Sequence, residues 1–289
     1  KKQTGCTFQV RPVRLCGEKF FFPPMIFGGK IMLDFSKHPE YEAVKSDYHG
    51  CDRYDFKVLG KNAIIVFPKK LTPKNKWVWR AEFFDAFPIV DLDLLEQGWA
   101  LTYIGISDMY GNDESVEIMR QYQEFLVNAF DLEPKATIFG FSRGAFYAVN
   151  YTAKYPQNVG CLYLDAPVLD ILSWPAGRGK SFGGQGTPAD WEICKKVLGL
   201  TEETAADYKG SPKFHIAELA KADIPLILVQ GDADIAAPME ENAQLLIDNY
   251  EKLGGTKFKV IIMEGKGHHP HSVYDPKPVS DFIKAAYEK

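Results

Sequence analysis

Gly140-Phe141-Ser142-Arg143-Gly144 is the stretch that most limits how this chain can fold. It fits the pattern G-x-S-x-G. The residues before it, Lys135 to Phe141, are largely apolar and read as a buried strand. Those from Arg143 to Lys154 read as a helix. A strand that enters a helix through one serine must turn tightly, and flanking glycines leave room where the turn crowds neighbouring backbone. The hydroxyl is then presented at the strand's carboxyl end, beside a helix N-terminus whose N–H groups favour developing negative charge. Outside that context Ser142 reads only as a helix N-cap.

The rest of the chain supplies the context. Apolar or alternating runs predict strands at 52–59, 63–67, 99–106, 159–166, 224–230 and 258–263. Helices are expected around 80–86, 91–97, 114–130, 239–253 and 279–287, and 68–80 reads as a loop. Strands alternating with helices imply a mostly parallel, doubly wound sheet with its site at the carboxyl ends of the strands. Residues 167–222 interrupt the alternation with Gly- and Pro-rich loops and short helices near 190–198 and 202–208. We read them as a small inserted cap. Residues 1–51, with Pro12, Pro23, Pro24 and Gly28-Gly29, read as an N-terminal arm or extension, or a short antiparallel strand against the main body, leaving 52–289 as the α/β domain.

Composition narrows the classes. At 289 residues the chain suits one α/β domain, and 46% hydrophobic residues allow a large core. A net charge of −4 without a long basic run argues against nucleic acid. No uncharged stretch reaches membrane-spanning length, so no membrane insertion is expected. Lys1 reads as a mature or trimmed terminus. The five cysteines lack C-x-x-C spacing, which argues against a zinc site. Cys6, Cys16 and Cys51 leave room for one disulfide, and Cys161 reads as core packing.

A serine hydroxyl needs a base to act as a nucleophile. Three of the six histidines follow the final strand, in Gly265-Lys-Gly-His-His-Pro-His271. His268, directly after Gly267, is the preferred base, with His269 and His271 as rivals. Pro270 and the lack of a nearby carboxylate quartet argue against reading the three as a metal site. The base needs an acid to orient its other nitrogen. Gly231-Asp-Ala-Asp-Ile-Ala-Ala-Pro238 follows the preceding strand and offers Asp234, with Asp232 read as a turn residue. Asp165 and Asp170 are lesser candidates. Ser142, Asp234 and His268 come in the chain order Ser…Asp…His.

On these residues the chain resembles the α/β-hydrolase superfamily over roughly 52–288. Gly231–Pro238 is similar to the family's acid-loop pattern G-x-x-D-x-x-V-P, with Ala237 in place of Val. The resemblance implies an eight-stranded, mostly parallel sheet, a Ser–His–Asp triad and no cofactor. The usual Gly-rich oxyanion motif is absent, and Pro73-Lys-Asn-Lys-Trp-Val-Trp-Arg80 stands in its place. The backbone N–H groups of Arg143 and, within 75–79, Trp77 are therefore the expected oxyanion donors.

More narrowly, WVWRAEFF, GFSRGA, SWP, TPADWE and GHHPHS resemble bacterial hydrolases of carbohydrate breakdown, among them pectin methylesterase-like enzymes. That implies a serine esterase on an acidic sugar methyl ester or sugar acetate, and a periplasmic or secreted location; otherwise the location is cytoplasmic. Trp77, Trp79, Tyr110 and Trp174 are then candidates to stack on sugar faces. Arg80, Arg143 and Arg178 are candidates to pair a substrate carboxylate. The alternatives are a peptidase or small-acyl esterase of the same fold, or a catalytically silent binding protein.

Overall fold

The computed structural model describes residues 32–288. Cys6, Cys16 and most of the stretch read as an arm lie outside the described residues.

Period-two burial builds a sheet with two separate cores. Nine strands, β1 (Val44–Tyr48), β2 (Cys51–Val58), β3 (Lys61–Phe67), β4 (Trp77–Arg80), β5 (Ala100–Ile104), β6 (Ala136–Phe141), β7 (Val159–Asp165), β8 (Leu226–Gly231) and β9 (Phe258–Met263), run in the order β1-β2-β3-β5-β4-β6-β7-β8-β9. β1, β2, β3 and β5 pair antiparallel; from β5 through β4 to β9 every pairing is parallel. On β6, β7 and β8, Ile138, Leu162, Leu164, Leu226 and Leu228 join one core. Phe139, Phe141, Cys161, Tyr163, Ile227 and Val229 join the other. Each fully buried aliphatic or aromatic side chain there contributes roughly 1.5–3 kcal/mol.

Helices cover both faces, as apolar residues on both sides of buried strands require. α2 (Asp113–Phe130), α3 (Gly144–Lys154), α5 (Ile216–Lys221) and α6 (Ala243–Asn249) feed the first core. α1 (Ile89–Glu96) and α7 (Lys277–Ala285) feed the second through Val90, Leu94, Val279 and Ile283. α4 (Pro188–Leu198) and α5 fall in the interruption between β7 and β8, where the sequence places its insertion.

The sheet has nine strands where the resemblance implies eight, and β4 and the 80–86 segment depart from the sequence expectation. β1 makes a ninth strand at the edge, N-terminal to residue 52. Trp77–Arg80, read as loop, is the central strand β4 between β5 and β6, with all four residues buried. It carries no aliphatic run: Trp77 and Trp79 pack on one face, while Val78 and the charge-paired Arg80 lie on the other. The helix expected at 80–86 is instead a series of turns in which Phe83, Asp85 and Phe87 have positive φ. Cys51 is a free thiol, as are the buried Cys161 and Cys194.

Candidate active site

Everything that faces Ser142 arrives from the carboxyl end of a parallel strand. β6 ends at Phe141, and Ser142 follows with φ +50°. A non-glycine residue there is strained by about 1–3 kcal/mol and persists only where its surroundings fix it. Here the Ser142 N–H donates to the Asp165 carbonyl at 2.9 Å, and its own carbonyl accepts from Val168 and Ala145. Gly140 is required by close packing: a β-carbon there would lie 2.8 Å from Ala148 Cβ and 2.9 Å from Leu164 Cδ2.

Ser142 Oγ lies 2.9 Å from His268 Nε2, and His268 Nδ1 lies 2.7 Å from Asp234 Oδ2. The Asp234 carboxylate is fully buried. Its Oδ1 accepts from the Ala236 and Ala237 N–H groups at 2.8 and 2.9 Å, and Gln230 Nε2 donates to Oδ2 at 3.3 Å. A carboxylate held this way fixes the imidazole ring. With Nδ1–H donated to Asp234, Nε2 turns its lone pair to the serine. Asp232, in the same turn, instead accepts the Gly265 N–H at 2.7 Å. Asp170 pairs with Lys213 away from this trio.

The other two histidines are close by but differently engaged. His269 is exposed and packs against Phe87. His271 is buried, its Nδ1 2.7 Å from Asp165 Oδ1. Asp165 also accepts from Tyr163 Oη and from the Ser272 N–H. Sequence spacing carries no sign of this pair, because the two residues are 106 positions apart.

Several expected substrate contacts are corrected. Trp77 starts β4, at the opposite end of the sheet from Ser142; it is buried, and its indole donates to the Glu133 carbonyl. Its backbone N–H is therefore no oxyanion donor. Trp79 is equally buried and stacks on Trp77. Arg80 is fully buried, pairs with Asp91 at 2.8 Å, donates to the Ala86 carbonyl and lies 4.0 Å over the Phe141 ring. It fastens the 81–88 turns and meets no solvent. Tyr110 is buried, with its hydroxyl donating to the Asp190 carbonyl, and its ring stacks on the half-buried Trp174. These two rings join the loop after β5 to the segment between β7 and β8. Arg178 pairs with Glu202.

Arg143 does stand beside Ser142, but its guanidinium is already spoken for by Glu82 at 3.2 Å and Asp108 at 2.8 Å. Glu82 also accepts from Ser107 Oγ. Burial pushes the Glu82 carboxyl above its ordinary range, and Arg143 and Ser107 oppose that push. A groove of about 480 Å³ opens here, lined in part by Arg53, Glu82, Phe83, Asp85, Tyr103 and Arg143. Its two cations are matched by two carboxylates. A β-carbon on Gly144 would approach Glu82 Cβ to 3.2 Å and the Glu82 nitrogen to 3.6 Å. The Glu82–Phe83 turn therefore borders the elbow, where the sequence had suggested Trp77.

A family model for the alpha/beta hydrolase fold matches residues 73–192, a stretch that holds β4 to β7 and Ser142. The chain has the alpha/beta hydrolase fold. Among solved structures it is similar to the dipeptidyl peptidase 4 of Porphyromonas gingivalis, with a TM-score of 0.59 and 14% identity over 86% of this chain and 35% of that one. It is also similar to a puromycin hydrolase (TM-score 0.55, 15% identity, 78% of this chain and 36% of that one). A Mycobacterium tuberculosis puromycin-hydrolyzing peptidase gives a TM-score of 0.55 at 13% identity, over 84% of this chain and 38% of that one. The chain thus spans little more than a third of each of these proteins. Likeness at this identity concerns the fold. None of the three is a carbohydrate esterase, so the narrower resemblance finds no support among them. No curated protein matches the chain. Among the described residues no helix is long and apolar enough to cross a membrane.

Proposed function

We propose that the protein is a serine hydrolase that transfers an acyl group to water through Ser142. The observation that carries this reading is the unbroken relay of Ser142 Oγ, His268 and Asp234 at 2.9 and 2.7 Å, built on a strained elbow. Ser142 Oγ attacks the substrate carbonyl as His268 Nε2 takes its proton. The carbonyl π electrons move to oxygen, and the oxyanion is met by the Arg143 N–H and the backbone of the Glu82–Phe83 turn. The intermediate collapses, the leaving group departs with the proton from His268, and an acyl ester remains on Ser142. Water, deprotonated by His268, attacks that ester; the acid leaves as the bond to Ser142 Oγ breaks, and Oγ takes the proton back from His268.

For the substrate, a peptide or aminoacyl amide is the better-supported class. The paired arginines remove the main argument for an acidic sugar, since each already has a carboxylate of this chain. Two of the four aromatic residues suited to sugar faces lie in the core and a third is buried beside the insertion. The similar structures bear the names of enzymes acting on peptides or puromycin. Labelling by a fluorophosphonate, present in wild type and absent in Ser142→Ala, tests the serine reading; an unlabelled wild type would leave a silent binding protein. Dipeptidyl and aminoacyl nitroanilides, methyl-esterified oligogalacturonate, acetylated sugars and nitrophenyl butyrate then test the class. Higher kcat/KM on the nitroanilides than on the sugar esters is expected; the reverse order restores the carbohydrate esterase.

A further inference from the structure

The loop after β9 brings three imidazoles together. The ring centroids of His268, His269 and His271 lie 4.7–4.9 Å apart, and one nitrogen from each falls within 4.8 Å of the other two. Two of the rings are already oriented as metal ligands are. His268 Nδ1 is held by Asp234 and His271 Nδ1 by Asp165, so an ion would meet Nε2 of each, and at His268 it would take the place of Ser142 Oγ. A carboxylate on the far nitrogen fixes tautomer and ring direction and raises ligand basicity. His269 stands at the exposed side of the cluster.

We infer that His268, His269 and His271 form a binding site for a borderline-soft divalent cation such as zinc, and that filling it switches Ser142 off. Imidazole sets select zinc, copper or nickel over magnesium or calcium. Zinc–nitrogen bonds of about 2.0–2.1 Å require the rings to close on the ion, and the exposed His269 is the one with room to do so. The ion takes His268 Nε2, the nitrogen that faces Ser142 Oγ. No bond of substrate is made or broken by it: it withdraws the base. The binding half of this inference stands independently of the proposed activity, and the inhibitory half rests on it.

The test uses the full chain and measures zinc binding by calorimetry before any turnover. One zinc per chain is expected for wild type and for Ser142→Ala, at micromolar affinity, with none for magnesium. His269→Ala, on the exposed ring, should weaken zinc binding by about tenfold or more. It should keep metal-free turnover and resist inhibition by zinc, and a chelator should restore wild-type turnover. Wild type that binds no zinc, or His269→Ala that binds it as tightly as wild type, overturns the site. Zinc that binds and depends on His269 without slowing turnover overturns the switch. Zinc that binds with this dependence in a protein inert to every acyl substrate supports the site and overturns the hydrolase reading.

Discussion

His271 Nδ1 meets Asp165 Oδ1 at 2.7 Å, forming a second carboxylate–imidazole pair whose ring centroid is 4.7 Å from that of His268. Both side chains are almost wholly buried. The pair ties the loop that carries His268 to the end of β7, whose last residue also receives the Ser142 N–H through its carbonyl. One aspartate thus fastens Ser142 through its backbone carbonyl and the loop that carries His268 through its side chain.

Asp165→Asn should therefore destabilise the protein. The carboxylate serves three donors, His271, Ser272 and Tyr163, and an amide would turn a donor of its own toward them. A loss of about 3 kcal/mol is expected in urea denaturation, against about 1 kcal/mol for Tyr163→Phe, which removes one neutral donor. Equal losses for the two would show that Asp165 is no anchor.

Ser142→Ala should lower kcat by about three orders of magnitude or more and leave the fold intact, because the hydroxyl packs little and alanine tolerates the turn no worse than serine. His268→Ala should be comparably damaging, and the double variant no slower than the worse single one, since the two act as a unit. Full additivity in kcat would separate the residues into independent roles.

Arg80→Met should cost stability without touching substrate affinity. It strands the buried Asp91 carboxylate, a loss of about 3–5 kcal/mol that Arg80→Met/Asp91→Leu should largely recover. Denaturation midpoints and KM measured together decide it. A stable variant with a raised KM for acidic esters would return Arg80 to the binding site.

Glu82 gives a pH signature. Its folded pKa stands above the ordinary 4.5 because burial outweighs Arg143 and Ser107. The folded state keeps this proton to a higher pH than the unfolded state does. The group therefore favours folding most below the unfolded pKa, and that contribution is lost as pH rises through the folded pKa. Wild-type stability minus that of Glu82→Gln should fall with rising pH across that window and then level off. A flat difference across the window, measured by urea denaturation at each pH, would mean that Glu82 is effectively solvated.

The sequence by itself determined what depends on neighbours in the chain. Apolar runs marked the buried strands, Gly140 and Gly144 marked the turn at Ser142, and loops following strands supplied Asp234 and His268, because a parallel sheet delivers such loops to one end. Tertiary structure decided what depends on distant partners. β4 was hidden because Trp77 and Arg80 do not read as strand; they become one only when β5 and β6 supply hydrogen bonds on both sides and Asp91 neutralises the arginine. The arginines changed from substrate ligands to structural ones for the same reason. A charge is free or paired according to what the fold places within a few ångströms, and Glu82, Asp91 and Glu202 approach Arg143, Arg80 and Arg178 only once the chain is folded.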